Sequence, residues 1–307
     1  MGMTKQMWRG PIAVVAAFAT ALGLATPVLA QAPGGTLTKI KNNGVIVLGH
    51  RESSVPLSYL DNNQNVVGYS HEIALRIVDA IKKQLELPNL QVKLIPINAQ
   101  NRISLMQNGT IDLECGGTTN TRERRNQVEF SNTIAITETR LLTKKTSGIR
   151  DMEDLAGKPV VVTAGTTSER YLRKYADEKK LSLSLVSARD HAQSFVMLQS
   201  DRVAAFFMDA DVLSALLAKA RDAEDFVVTG KPQTKEALAC MLRKEDPEFK
   251  ALVDRTVAEF ETSGDAAKQY AKWFQSPIPP NGINLNTPLS DAMKELFKAP
   301  NDRSFDD

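Results

Sequence analysis

The chain has only two cysteines, three histidines and 6% aromatic residues in 307 positions. His50, His71 and His191 are too few for a His-based metal cluster and leave a Ser-His-Asp triad few bases to choose from. There is no Gly-rich phosphate loop ending in Lys-Ser/Thr, no His-Glu-x-x-His, no Cys-x-x-Cys and no Gly-x-Ser-x-Gly elbow. The commonest nucleotide, zinc, redox and hydrolase signatures are therefore missing, and neither a metal nor a cofactor is expected. Charge of one sign is lacking too. The 38 basic and 36 acidic residues give +2 with no basic block, which argues against a nucleic-acid partner, because phosphate neutralisation needs a clustered excess of Lys and Arg. Gly and Pro, at 17 and 14, show no collagen-like or disordered bias. With aromatics sparse, the core must rest on Leu, Ile, Val and Ala.

What is present begins with a targeting pattern. Lys5 and Arg9 precede an apolar stretch from Ile12 to Ala25, followed by Pro27-Val28-Leu29-Ala30. This reads as a secretory signal peptide over residues 1–30, since the run falls short of the roughly 20 residues that span a bilayer. Its removal takes away two bases and no acids, leaving 36 of each sign. Export places Cys115 and Cys240 in an oxidising compartment, where a disulfide persists; two buried thiols acting as small hydrophobes are the alternative.

Hydrophobic periodicity then gives an α/β chain. Gly44–Gly49 reads as a buried strand, and Tyr69–Leu85 as a helix with Ile73, Ile77, Val78, Ile81 and Leu85 at helical spacing. Strand 91–97, helix 100–108 and strand 111–115 complete a β-α-β-α-β order. After an extended stretch through residues 139–145 the alternation starts again. Strands at 159–163, 183–186 and 203–208 are interleaved with helices at 168–179, 191–200 and 210–220. A second extended segment, 237–243, resembles the first. If the two are crossings, lobe I comprises residues 37–140 and 238–307, and lobe II, residues 141–237, is an insertion of ordinary domain size. Closing helices are expected at 247–262 and 266–274, and Pro277, Pro279 and Pro280 predict an irregular tail.

Open α/β sheets place ligands at the C-terminal ends of their strands. Arg51 follows the first strand and Arg102 the second, where a guanidinium can hold a carboxylate bidentately. Taken alone, Arg51 reads more readily as a surface base, since most Arg are exposed, and Arg102 as a solvated residue of a helix first turn. Gly116 and Gly117 follow the third strand and let a backbone approach a ligand, with the Thr118 and Thr119 hydroxyls beside them. In the charge run Arg122 to Arg125, ordinarily a solvated helix face, one arginine can turn back over those glycines. In the second lobe Thr166 with Glu169 forms a capping box, while the same helix N-terminus can take an anion. Asp209 and Asp211 end a strand, as helix caps or as a carboxylate for an ammonium. His191 at a helix start is a cap, a surface group or a ligand contact. Arg and hydroxyls on one lobe, with Asp, Thr and a helix N-terminus on the other, suit a zwitterion carrying extra negative charge.

These residues resemble a known family. Gly49-His50-Arg51-Glu52-Ser53-Ser54-Val55-Pro56, Gln100-Asn101-Arg102, Asn108-Gly109-Thr110, Glu114-Cys115-Gly116, Thr118-Thr119-Asn120, Gly165 to Glu169, Cys240 to Lys244 and Pro277-Ile278-Pro279-Pro280 look like the type II amino-acid solute-binding proteins of bacterial ABC transporters, in the periplasmic glutamate/aspartate-binding branch. The resemblance covers essentially the whole mature chain. It implies a two-lobe periplasmic binding protein fold joined by two crossing strands, a periplasmic monomer, and delivery of L-glutamate or L-aspartate to a membrane permease.

By the same resemblance Thr119 and Arg124, in the Thr-Thr-x-x-x-x-Arg stretch, grip the α-carboxylate, and Asp209 receives the α-ammonium. Arg51 and Arg102 hold the side-chain carboxylate, with Thr167 and His191 closing from lobe II. Ala99 and Gly117 stand where relatives carry Ser, which bears on the preference between aspartate and glutamate. Two other functions fit the same fold: a lyase or dehydratase using Glu52 or Glu114 as acid or base, and a sensor subunit reporting ligand to a receptor.

Overall fold

In a computed structural model, residues 1–3 and 34–306 are described; the signal peptide reading lies almost entirely outside them. Helix α1 (Thr36–Asn43) leads into strand β1 (Val45–His50), the buried run bounded by glycines. The strands β2 (Ser53–Ser54), β3 (Ser58–Leu60) and β4 (Val66–Val67) follow and pair antiparallel in a small sheet of their own. Strands of two or three residues carry no readable period, so the sequence did not announce them. Helix α2 (Tyr69–Leu85) buries Ile73, Ile77, Val78 and Ile81 along one stripe and stops at Glu86, whose main chain is left-handed.

Next come β5 (Gln91–Pro96), α3 (Arg102–Gln107), β6 (Leu113–Thr119), the short α4 (Arg122–Arg125) and the long β7 (Glu129–Lys144). The second run of alternation contains β8 (Pro159–Thr163), α5 (Thr167–Lys179), β9 (Ser184–Ala188), α6 (His191–Gln199), β10 (Ala205–Asp209), α7 (Ala210–Lys219) and β11 (Phe226–Thr229). The chain finishes with β12 (Lys235–Leu242), α8 (Pro247–Thr262), α9 (Asp265–Phe274) and α10 (Asp291–Lys298). The last helix corrects the expectation of an irregular tail. Ser290 caps it by accepting from the Met293 N–H, and Met293, Leu296 and Phe297 bury one face. That apolar spacing lies beyond the prolines and outweighs them.

The strands run in the order β5-β1-β6-β12-β7-β10-β8-β9, with β11 against β7. At one end β1 pairs parallel with β5 and β6, and at the other β8 pairs parallel with β9 and β10. Antiparallel β12 and β7 stitch the two parallel sets together. Residues 129–138 of β7 pair with β12, and residues 139–144 pair with β10 and β11. The result is two lobes joined by the crossing strands β7 and β12, as expected. Each lobe has its own core. Ile46, Leu48, Ile77, Phe249 and Trp273 cluster in the first, and Leu142, Val161, Phe206 and Leu213 in the second.

Of the two readings of the cysteines, the bridge is the one formed. Cys115 on β6 and Cys240 on β12 are joined with Cα atoms 4.3 Å apart across neighbouring strands. Among the described residues, no helix is long and apolar enough to cross a membrane.

Candidate functional site

The C-terminal ends of β1, β6, β8 and β10 converge on a small cavity between the lobes. Arg51, Arg102, Gly117 and Thr119 line it from lobe I, and Thr167, His191 and Asp209 from lobe II. These seven, with Gly116 and Thr166, were all singled out from the sequence and meet around one space.

Arg51 follows β1 and is fixed by its own N–H donating to Ser58 Oγ at 3.1 Å. Its side chain is buried, with Nη2 3.3 Å from His191 Nε2. Burial pushes the guanidinium down to about 10, and Arg102 adds to the fall while Glu114 opposes it. Arg102 opens α3 and is equally buried; among the described residues its Nε and Nη1 have no partner. Arg124 is the arginine of the charge run that turns inward. Thr121 caps α4 by accepting from the Arg124 N–H, which aims the side chain at the crossing of the lobes. Its Nη1 donates to Thr119 O at 2.9 Å and its Nη2 to Gly165 O at 3.2 Å, while Nε is unpartnered. It is not among the residues that line the cavity, although both carbonyls it holds belong to or adjoin lining residues.

Thr118 also stands off the cavity. Successive strand residues point to opposite faces, and its hydroxyl donates to Glu114 Oε2 at 2.5 Å. Thr119 faces the cleft, with its hydroxyl 3.5 Å from that of Thr167. Gly117 holds φ +89°, and a Cβ there would come within 2.9 Å of Leu57 Cδ1. The left-handed backbone favours glycine there, and the end of the Leu57 side chain would have to move aside for a Cβ.

Lobe II supplies the opposite charge. Asp209 ends β10 at the cap position of α7 but makes no capping bond, and its buried Oδ1 has no partner among the described residues. Burial lifts its carboxyl well above the usual range, and Glu236 and Asp211 lift it further. His191 opens α6, capped by Asp190. Its Nδ1 is 2.8 Å from Thr163 Oγ1. Because Arg51 Nη2 can only donate, Nε2 must accept, so Nδ1 carries the proton and the ring is neutral. Burial, reinforced by Arg51 and Arg102, likewise holds its pKa well below the ordinary value.

Thr166 caps α5 by accepting from the Glu169 N–H at 3.1 Å. The capping box is displaced by one residue, since Glu169 Oε2 accepts from Gly165 N at 2.8 Å rather than from the cap residue itself. Ser54, Leu57, Met208 and Val212 also line the cavity and were not singled out. Ser54 and Leu57 belong to the aperiodic stretch around the small sheet, while Met208 and Val212 read as core.

Among the described residues, no group of three or more His, Cys, Asp and Glu side chains could hold a metal ion. Buried guanidinium N–H groups without partners demand anionic acceptors, and a buried carboxylate oxygen without a partner demands a donor. One small molecule bearing carboxylates and an ammonium meets both demands.

Residues 46–276 match the family model of bacterial extracellular solute-binding proteins, family 3. The chain is 57% identical over 276 residues to the glutamate/aspartate import solute-binding protein of Salmonella typhimurium, covering 90% of this chain and 91% of that one. It is 54% identical to the protein of the same description from Escherichia coli, over 97% of this chain and 99% of that one. Among solved structures, an ancestral arginine-binding protein bound to arginine is similar with a TM-score of 0.69 at 28% identity, over 75% of this chain and 98% of that one.

Proposed function

The chain belongs to family 3 of the bacterial extracellular solute-binding proteins, and from that premise we propose that it captures L-glutamate or L-aspartate as the solute-binding component of an ABC importer. It is a binding protein and not an enzyme. Glu52 and Glu114, the carboxylates that an acid-base reaction would use, do not line the cavity, and the similar curated proteins are import components. The observation that carries the ligand class is the pairing of Arg102, with two unpartnered nitrogens, and Arg124, with one, against Asp209 with its unpartnered oxygen.

In this reading Arg124 and Thr119 take the α-carboxylate and Asp209 the α-ammonium. Arg51 and Arg102 hold the side-chain carboxylate, and Thr167 and His191 close over it. Gly117 offers main chain, and Thr118 acts from behind by holding Glu114. Lobe I comprises residues 37–140 and 238–307 and lobe II residues 141–237, closing by hinge motion at the two crossings. The mature protein works as a periplasmic monomer after loss of residues 1–30 and presents its closed form to a membrane permease. A neutral side chain would leave a buried guanidinium unpaired, at a cost of about 3–5 kcal/mol. That penalty is the source of acidic specificity.

Calorimetric titration of refolded, ligand-free mature protein with L-glutamate, L-aspartate, L-glutamine and L-arginine tests the assignment, with chemical analysis of the recovered ligand. Tight binding of the acidic pair alone, unchanged on recovery, is expected. Binding of the neutral or basic amino acid with equal affinity, or a converted ligand, would overturn it.

A further inference from the structure

Lobe II meets lobe I through a residue that has no side chain. Gly165 lies between β8 and α5 with φ +79°, and a Cβ placed on it would stand 2.8 Å from Ala99 C and O and 2.9 Å from Gln100 N. Those three atoms are main chain and cannot swing aside as the end of a flexible side chain does.

Both loops at this contact are pinned from behind. On lobe I the Asn98 side chain accepts from the Gln100 and Asn101 N–H groups at 2.9 and 3.0 Å, and Asn101 Oδ1 accepts from Asn98 N at 2.9 Å. On lobe II the Thr166 hydroxyl donates to Thr163 O at 2.7 Å, and Gly165 N donates to Glu169 Oε2. Glu169 is itself held by the Ser187 hydroxyl at 2.6 Å and Arg173 Nη2 at 2.9 Å. Two stiff loops therefore touch backbone to backbone. The same glycine accepts Nη2 of buried Arg124 on its carbonyl at 3.2 Å, so its position is tied to the guanidinium assigned to the α-carboxylate.

We propose that Gly165 is a positioning residue that sets how far the lobes close, acting through Arg124, an inference that rests on the binding function above. Its missing Cβ lets the Thr119 and Thr167 hydroxyls approach to 3.5 Å and Arg51 Nη2 reach His191 Nε2 at 3.3 Å. Any side chain at this position holds the lobes apart and leaves those contacts unmade.

Left-handed backbone strain is the confounding effect, and a second glycine controls for it. Gly157, in the same lobe, has φ +71° with nothing within 4 Å of its Cβ position. Gly157→Ala therefore introduces the strain without the collision. Gly165→Asn complements Gly165→Ala, because Asn tolerates left-handed backbone yet still carries the colliding Cβ. The expected result is a glutamate Kd weakened about tenfold or more in both Gly165 variants, as follows when the closed form falls to a tenth of its population. Dissociation should be faster, and the ligand-free Tm should match that of Gly157→Ala, whose Kd stays at the wild-type value. Gly165→Ala binding within about twofold of wild type, well under the tenfold loss expected, would overturn the proposal. If wild type binds no acidic amino acid, the binding function itself fails. The crystal structure of Gly165→Ala then decides the closure stop alone: separation of the Thr119 and Thr167 hydroxyls beyond 3.5 Å supports it, and an unchanged separation overturns it.

Discussion

Arg51 Nη2 stands 3.3 Å from His191 Nε2 across the cleft, and a guanidinium facing an imidazole at that distance forces the ring to be neutral. Burial of the ring, reinforced by this contact, makes the fold sensitive to acid. An unfolded histidine takes up its proton near 6.5, whereas His191 in the folded chain stays neutral well below that value. His71, pushed down to about 4 by burial and by His50, acts in the same direction. Both contributions are fully present above pH 6.5 and are lost as pH falls towards the folded values, at up to ~1.4 kcal/mol per pH unit for each ring. Urea unfolding of the ligand-free chain between pH 7 and 5 should show stability falling with acid, and His191→Gln should flatten that slope. Parallel curves for variant and wild type would refute the assignment.

Arg51→Met should separate binding from folding. The variant loses a guanidinium whose charge is held in a buried place, so the ligand-free chain should unfold at a Tm no lower than wild type. The side-chain carboxylate of glutamate then has one donor group fewer. Truncating one side of a buried charge pair costs roughly 2–5 kcal/mol, or about thirtyfold to several thousandfold in Kd. Wild-type affinity for glutamate in Arg51→Met would remove this residue from the site.

Asp209 should release a proton when an amino acid binds. Its carboxyl is held well above the usual range by burial and by Glu236 and Asp211, but an ammonium is received by a carboxylate. Capture therefore drives the proton off. Affinity for glutamate is full above the raised value and falls as pH drops through it. Calorimetry at one mildly acidic pH, in two buffers of different ionisation enthalpy, should give different binding heats for wild type. Asp209→Asn should bind at least about a hundredfold more weakly, as expected for loss of a buried charge partner. Identical heats in the two buffers would mean that Asp209 is already ionised before binding.

The extent to which the site was legible follows from what sequence spacing records. Arg51 and Asp209 were readable because an open α/β sheet puts strand ends at the ligand crevice, and the β1 and β10 patterns are unambiguous. Residue chemistry alone narrows Arg124 only to a run of arginines, and it is the family resemblance that singles it out. Its inward turn depends on Thr121 and on Gly165 O, which lies 41 residues away, a distance across which spacing carries no information. Thr118 turns its hydroxyl to Glu114, a placement that strand alternation alone separates from that of Thr119. Helix α10 was missed because the prolines before it drew attention from the Met293, Leu296 and Phe297 stripe. The contact of Gly165 with Ala99 was invisible, since a missing side chain leaves no pattern.

Far from the cleft, Glu261 near the end of α8 makes the opposite prediction about pH. It is buried, and among the described residues neither carboxylate oxygen has a partner. Burial lifts its pKa from 4.5 to about 9. In the unfolded chain the group ionises from about 4.5 upward, while in the folded chain it stays protonated, so the unfolded state binds fewer protons throughout that window. Stability is full below the unfolded value and falls as pH rises towards the folded one, at up to ~1.4 kcal/mol per pH unit. Glu261→Gln keeps the shape and removes the titration. Its Tm should equal that of wild type near pH 5 and exceed it by several degrees near pH 8, a gap that should widen steadily between the two. A gain of the same size at both pH values would show that packing, and not ionisation, governs this position. No gain at either would show that the carboxyl finds a partner in solution.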